Sequence, residues 1–157
     1  MIDFFYTLLY WLHTIASVYW IGGIAFILLI LIPKAKQKLG NEAGIFIGAI
    51  SKTFKLHVNI SIIILIASGI VLSLIKPLHF QIEQSDIWKT LLIAKHFLVA
   101  IMICIHIYRN TLLIKRINLE NEVSRKSSLQ KFSLNLVKVV FILGLIVLLL
   151  SIMASKM

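Results

Sequence analysis

The chain has 157 residues, 60% of them hydrophobic and 14% charged, with 16 Lys and Arg against 6 Asp and Glu; its mean hydropathy is +0.99. A soluble domain is near half apolar with about a quarter of its residues charged, so this composition excludes an ordinary globular protein and describes an integral membrane one. The net charge of +10 is segregated into connections and lacks the basic–aromatic interleaving that binds single strands, which excludes nucleic acid as a partner.

A membrane span takes about 20 mostly apolar residues, and the chain has four such runs, at 4–32, 54–75, 88–114 and 132–154. The first begins Met1-Ile2-Asp3, without a basic n-region, and its apolar run is far longer than the core of a signal peptide. It is expected to be a retained helix that ends near Pro33, because the residue before a proline is pushed out of helical conformation. The segment "NEAGIFIGAISKTF" reads either as a short interfacial helix or as an extension of helix two, with Asn41 as its cap; Gly40, Gly44 and Gly48 recur there every four residues. Helix two is expected to close at Lys76-Pro77, followed by "LHFQIEQSD" as a solvated turn that includes His79. Ser85 or Asp86 then caps helix three, with Trp88 as an interfacial anchor. "NLENEVSRKSS" reads as a charged linker, and helix four carries one charge, Lys138, placed to snorkel. The single cysteine, Cys104, excludes a disulfide within the chain and is expected to be a small buried hydrophobe.

These elements predict an all-α fold: a four-helix up-down bundle forming one transmembrane domain, 1–157, with short connections and antiparallel neighbours. Lys34, Lys36, Lys38, Lys52 and Lys55 surround the first connection. Arg109, Lys115, Arg116, Arg125, Lys126 and Lys131 surround the third, whereas the second is balanced. By the positive-inside rule both termini face the outer (periplasmic or extracellular) side of a multi-pass protein of the inner, cytoplasmic membrane. Its basic inner face suits anionic membrane lipid.

Ionisable residues inside a span are functional candidates because they are costly to leave unpaired in hydrocarbon. His13, His57, His96 and His106 fall in or near spans. At about 1.5 Å per residue, His13 and His96 both lie toward the outer side of their helices, and His57 and His106 toward the inner side. Two neutral imidazoles at one depth on different helices are what bis-imidazole haem ligation requires. The pairs His13 with His96 and His57 with His106 therefore suggest one or two haem b groups, whose propionates would be met by Lys55 and Arg109 on the inner side and by Lys76, Lys89 or Lys95 on the outer side. Against a two-haem helix, His96 and His106 are ten residues apart and point about 80° away from each other, while Lys95 and His106 share a face. Each histidine also has a plain structural alternative, a hydrogen bond to a carbonyl or to a serine on a neighbouring helix. Copper(I) favours thioether and thiolate ligands, but Met102 and Cys104 lean to opposite faces, and the chain has no Met-rich or Cys-rich run. No acid lies within the four apolar runs, and there is no P-loop, dinucleotide fingerprint or HExxH.

"LHTIASVYWIGGIAF" resembles the first helix of CopD-like membrane proteins, where a histidine precedes a Trp-x-Gly-Gly turn. "IASGIVL" is similar to their small-residue segment in helix two, and "WKTLLIAKHFLVAIMICIH" resembles helix three of that group and of the related HemJ-type proteins. The resemblance implies a four-helix module with His13, Lys95 and His106 as functional positions; HemJ-type relatives imply haem b and protoporphyrinogen oxidation. The Leu-Pro-Arg segment that follows the helix-one tryptophan in HemJ-type proteins has no counterpart here.

The leading expectation is a CopD-like protein that binds haem b through its intramembrane histidines and passes electrons to or from a quinone or a redox partner subunit, within a homo- or hetero-oligomer. Copper transport or resistance is the alternative the CopD resemblance implies. HemJ-type oxidation of protoporphyrinogen and a structural subunit role are further alternatives.

Overall fold

The computed structural model describes residues 2–80 and 85–155, with backbone alone for Asn41 and residues 76–80. Among the described residues there is no strand. Helix α1 (Ile2–Phe26) passes through a π-turn (Ile27–Leu31) into α2 (Ile32–Leu39). A 3₁₀ turn (Gly40–Glu42) then leads to α3 (Ala43–Phe80). Helix α4 (Asp86–Tyr108) passes through a second π-turn (Arg109–Leu113) into α5 (Ile114–Leu119), and α6 (Val123–Ser155) completes the chain. Four continuous helical stretches, Ile2–Leu39, Ala43–Ile75, Asp86–Leu119 and Val123–Ser155, are long and apolar enough to cross a membrane. The protein is therefore a multi-pass membrane protein of all-α class.

At about 1.5 Å per residue each stretch is roughly 50 Å or longer, against a hydrocarbon core of about 30 Å. All four helices thus continue beyond the apolar runs. Helix one does not stop at Pro33. In the π-turn the Ile32 N–H reaches back to the Ile27 carbonyl, a shift of one residue in the ladder that lets the proline follow without breaking the helix. Helix two likewise runs through Pro77 to Phe80; spanning helices tolerate proline because nearby groups take over the carbonyl it frees. "NEAGIFIGAISKTF" is the extension of helix two, since α3 begins at Ala43. The reversal before it needs Gly40, whose φ of +49° is strained for any side chain.

The expected linker "NLENEVSRKSS" shrinks to residues 120–122, because the segment after it is already helical. Glu122 organises that start. Its carbonyl accepts from the Lys126 N–H at 2.9 Å, and its carboxylate accepts from the Ser124 hydroxyl and pairs with Arg125 at 2.9 Å. At the start of α4 the cap is Ser85, with its hydroxyl accepting from the Trp88 N–H at 3.2 Å. Ser85→Ala should lower stability by about 1 kcal/mol, measured as a small fall in the thermal midpoint of the detergent-purified chain. Asp86 instead pairs with Lys89 at 3.4 Å, both largely exposed, and contributes little. The capping expected of Asn41 and the outer turn over residues 81–84 lie outside the described residues, as does the side chain of His79.

The chain forms two compact units, Met1–Glu83 and Gln84–Met157, each built on an antiparallel helix pair. In the first unit His13 meets Ser68, Tyr19 meets His57, and Gly23 meets Phe54, so α1 and α3 run in opposite directions. Their shared surface is lined by Ala16, Trp20, Ile21 and Ile24 from α1 and by Val58, Ser61, Ile62 and Ser68 from α3, all buried. In the second unit Arg109 meets Ser133. The same register brings Met102 level with Val140 and Trp88 level with Ala154, and all four are buried. Small residues at such seams, Ala16, Gly23, Ser61 and Ser68 in one unit, Gly144 and Ala154 in the other, let helices approach closely where lipid provides no hydrophobic drive.

Candidate functional site

The first unit holds the best-defined polar arrangement inside a span. His13 is half-buried on α1, with Nδ1 2.8 Å from the Ser68 hydroxyl on α3. The Ser68 hydroxyl lies 2.5 Å from the Ile64 carbonyl; a carbonyl only accepts, so that hydroxyl's one proton is given there. His13 must then donate Nδ1–H to Ser68 Oγ, so that in the neutral imidazole the lone pair is on Nε2. One turn later on α1 the Ser17 hydroxyl donates to the His13 carbonyl at 2.9 Å. Gly69 lies beside the imidazole: a methyl there would sit 3.4 Å from Cε1, an ordinary contact. In the sequence, "IASGIVL" stands out for its small residues, and its hydroxyl carries no sign of a partner on another helix. The pairing realises the plain structural alternative, a histidine bonded to a serine on the neighbouring helix. The two roles are compatible, because a metal-ligating histidine holds its other ring N–H in just such a bond.

His57 is exposed, with Nδ1–H donated to the Thr53 carbonyl at 3.1 Å and its ring tilted against Tyr19, centroids 5.9 Å apart. Tyr19 also stacks on Phe54 at 6.0 Å. His57 precedes Ser68 by eleven residues on one helix, about 16 Å of rise. His13 and His57 therefore cannot ligate one ion.

In the second unit His96 is exposed and donates Nδ1–H to the Leu92 carbonyl at 2.7 Å. His106 is half-buried, and the Asn110 amide nitrogen lies 3.2 and 3.1 Å from its two ring nitrogens while donating to its carbonyl at 2.9 Å. The ten-residue spacing thus sends the two histidines to different environments about 15 Å apart along the helix. Lys95 is half-buried like His106, as their common face requires. Arg109 donates from Nε to Ser133 Oγ at 3.1 Å. Cys104 is exposed, which corrects the expectation of a buried thiol: in a membrane an outward face is apolar, and a small sulfur side chain suits it as well as a core does. Met102, only 1% exposed, is packed inside, so the two sulfur atoms do face apart.

Among the described residues no three His, Cys, Asp or Glu side chains gather closely enough to hold a metal ion. Within each unit the two span histidines are too far apart to be the two axial ligands of one haem. Each of the expected pairs takes one histidine from either unit. Singly, His13, His57 and His96 share one feature of an axial ligand: in each, Nδ1 is held by a hydrogen bond, so Nε2 is the nitrogen that would ligate.

The Trp-x-Gly-Gly segment also has a defined role. Phe54 lies against Gly23, with its ring edge 2.2 Å from where a Cβ would be, whereas nothing comes within 4 Å of a Cβ at Gly22, Gly44 or Gly48. The surface at Gly23 is thus taken by a ring of the same unit.

In comparison with known families, the model of copper resistance protein D (CopD) matches residues 48–154. No curated protein and no solved structure matches the chain significantly. The matched stretch covers about two thirds of the sequence. It includes Ser68, Gly69, His57, His96, His106 and Arg109 and all of the apolar part of helix four. Helix one with His13 lies outside it, although its "LHTIASVYWIGGIAF" segment carries part of the resemblance. The match runs from the start of the second spanning helix to the end of the last, and the chain belongs to the CopD family.

Proposed function

We propose that this protein handles copper at the inner membrane, with His13 Nε2 as a copper-binding atom on its path. Family membership supports the copper reading, and the observation that carries the site is the His13 Nδ1 to Ser68 Oγ bond. An imidazole that is free to rotate binds a metal ion poorly. One whose proton is held on Nδ1 presents Nε2 in a fixed direction, and imidazole is a competent copper ligand. Met102 and Cys104, facing apart, do not supply a sulfur pair, which leaves the anchored imidazole as the better candidate. Cells producing the full chain should differ in copper content or tolerance from cells lacking it, and His13→Ala should return them to the level of cells without the protein. Unchanged copper content in both comparisons would remove this reading.

A second reading is haem b ligation and electron transfer, with a quinone or partner subunit as the redox partner. It is favoured by His57 and His96, which both donate Nδ1–H to a carbonyl of their own helix and so direct Nε2 outward as an axial ligand must. The chain purified from haem-replete cells should then show a Soret band and a dithionite-sensitive α-band, each diminished in His96→Ala. A colourless preparation excludes it.

A further inference from the structure

Among the described residues, the half-buried Arg109 is set apart from the solvated charges of the connections by its bond to Ser133. It lies 21 residues after Trp88, about 31 Å along the helix, which matches the roughly 30 Å thickness of the hydrocarbon core. Ser133 and Ala154 on α6 are separated by the same number of residues. If Trp88 and Ala154 mark one edge of the apolar layer, Arg109 and Ser133 mark the other. Tyr108, 40% exposed, stands beside Arg109 at the level where aromatic belts form.

At that edge the guanidinium is half-buried and tied by Nε to Ser133 Oγ at 3.1 Å. The bond uses the single N–H on the inner edge of the group. It leaves the two terminal nitrogens as a fork of donors. Among the described residues no carboxylate pairs with Arg109: the ion pairs near the ends of this unit are Lys89 with Asp86 and Arg125 with Glu122. A cation at the boundary of hydrocarbon favours an anion, and a planar fork suits phosphate or carboxylate bidentately. Lys115, Arg116 and Lys131, all exposed, raise the positive potential on the same side of the layer.

We propose that Arg109, positioned by Ser133, binds the phosphate of an anionic phospholipid headgroup in the leaflet on the side of the residue 120–122 connection. The π-turn that begins at Arg109 belongs to this site. There the Ile114 N–H reaches the Arg109 carbonyl, so the backbone is wound wider at the residue that carries the guanidinium. A haem propionate, the partner the sequence suggests for Arg109, would use the same fork. A lipid phosphate is supplied at this depth by the membrane itself, whether or not any cofactor is bound.

The test uses the full chain in detergent, measuring retained lipid by native mass spectrometry and thermal unfolding with added phosphatidylglycerol, phosphatidylcholine or inorganic phosphate. Phosphatidylglycerol should be retained and should raise the unfolding midpoint, while phosphatidylcholine and inorganic phosphate should do neither. Arg109→Ala should lower phosphatidylglycerol retention about tenfold, the loss of one charge-assisted contact. Ser133→Ala, which keeps the charge and frees the guanidinium, should lower it about fivefold. Arg109→Lys, which keeps the charge and loses the fork, should also bind less. If Arg109→Ala does not fold, the last two variants decide. Wild-type retention in Arg109→Lys and Ser133→Ala overturns the proposal. Stabilisation by inorganic phosphate equal to that by phosphatidylglycerol overturns the lipid as its source.

Discussion

Ser68→Ala should weaken copper binding by the purified chain by about 10- to 100-fold, the usual cost of removing the group that holds a ligating histidine, although Ser68 itself contributes no ligand. The hydroxyl accepts from Nδ1–H of His13 and donates its own O–H to the Ile64 carbonyl. Without it the imidazole can rotate, and its proton is no longer confined to Nδ1, so Nε2 presents its lone pair only part of the time. Competition against a chelator of known copper(I) affinity measures the change directly. Ser68→Thr keeps an oxygen in place and should recover most of the affinity. Gly69→Ala is the matched control: its methyl would meet His13 Cε1 at an ordinary 3.4 Å, and alanine is the better helix former by about 1 kcal/mol. It should bind copper as the wild type does. Equal affinity in Ser68→Ala and the wild type would show that His13 is a packing residue whose serine bond is its whole role.

The contrast between Ser68 and Gly69 shows where the sequence is legible and where it is not. The four helices are written in apolar length. A cap at Ser85 or Asp86 is also readable in chain order, because both features depend on local chemistry, and the structure selects Ser85. Which face of each helix meets its partner is not readable in the same way. In water the packed face is the apolar one; in lipid the outside is as apolar as the inside, and the alternation that betrays a core is lost. Cys104 and Met102 illustrate this, two residues apart and similar in polarity, one exposed and the other fully buried. Histidine depth follows from counting residues. The partner of His13 depends on the register of α1 against α3, and it emerges only when the helices are placed. The π-turns at Ile27–Leu31 and Arg109–Leu113 were hidden for a related reason. Pro33 announces a break, but whether the chain turns or slips its ladder by one residue is decided by packing on both sides.

Gly23→Leu should destabilise the first helix pair by about 1–3 kcal/mol, the range for overpacking a close contact, with most of the effect reversed when Phe54→Ala is added. Even the first carbon of a side chain at Gly23 would lie 2.2 Å from Phe54 Cζ and 2.3 Å from Cε2, inside any allowed separation. The ring cannot simply swing aside. Its face is stacked on Tyr19 at 6.0 Å and 25°, and Tyr19 in turn rests against His57. Displacing Phe54 therefore disturbs three aromatic groups at once. Thermal unfolding of the four proteins of a double-mutant cycle separates this contact from the loss of ring burial in Phe54→Ala alone. Gly22→Leu provides the comparison within one dipeptide, because nothing lies within 4 Å of a Cβ there, and it should cost nothing measurable. If Gly23→Leu and Gly22→Leu behave alike, the paired glycines serve the helix as a whole, and the close approach of Phe54 is not what selects glycine at position 23.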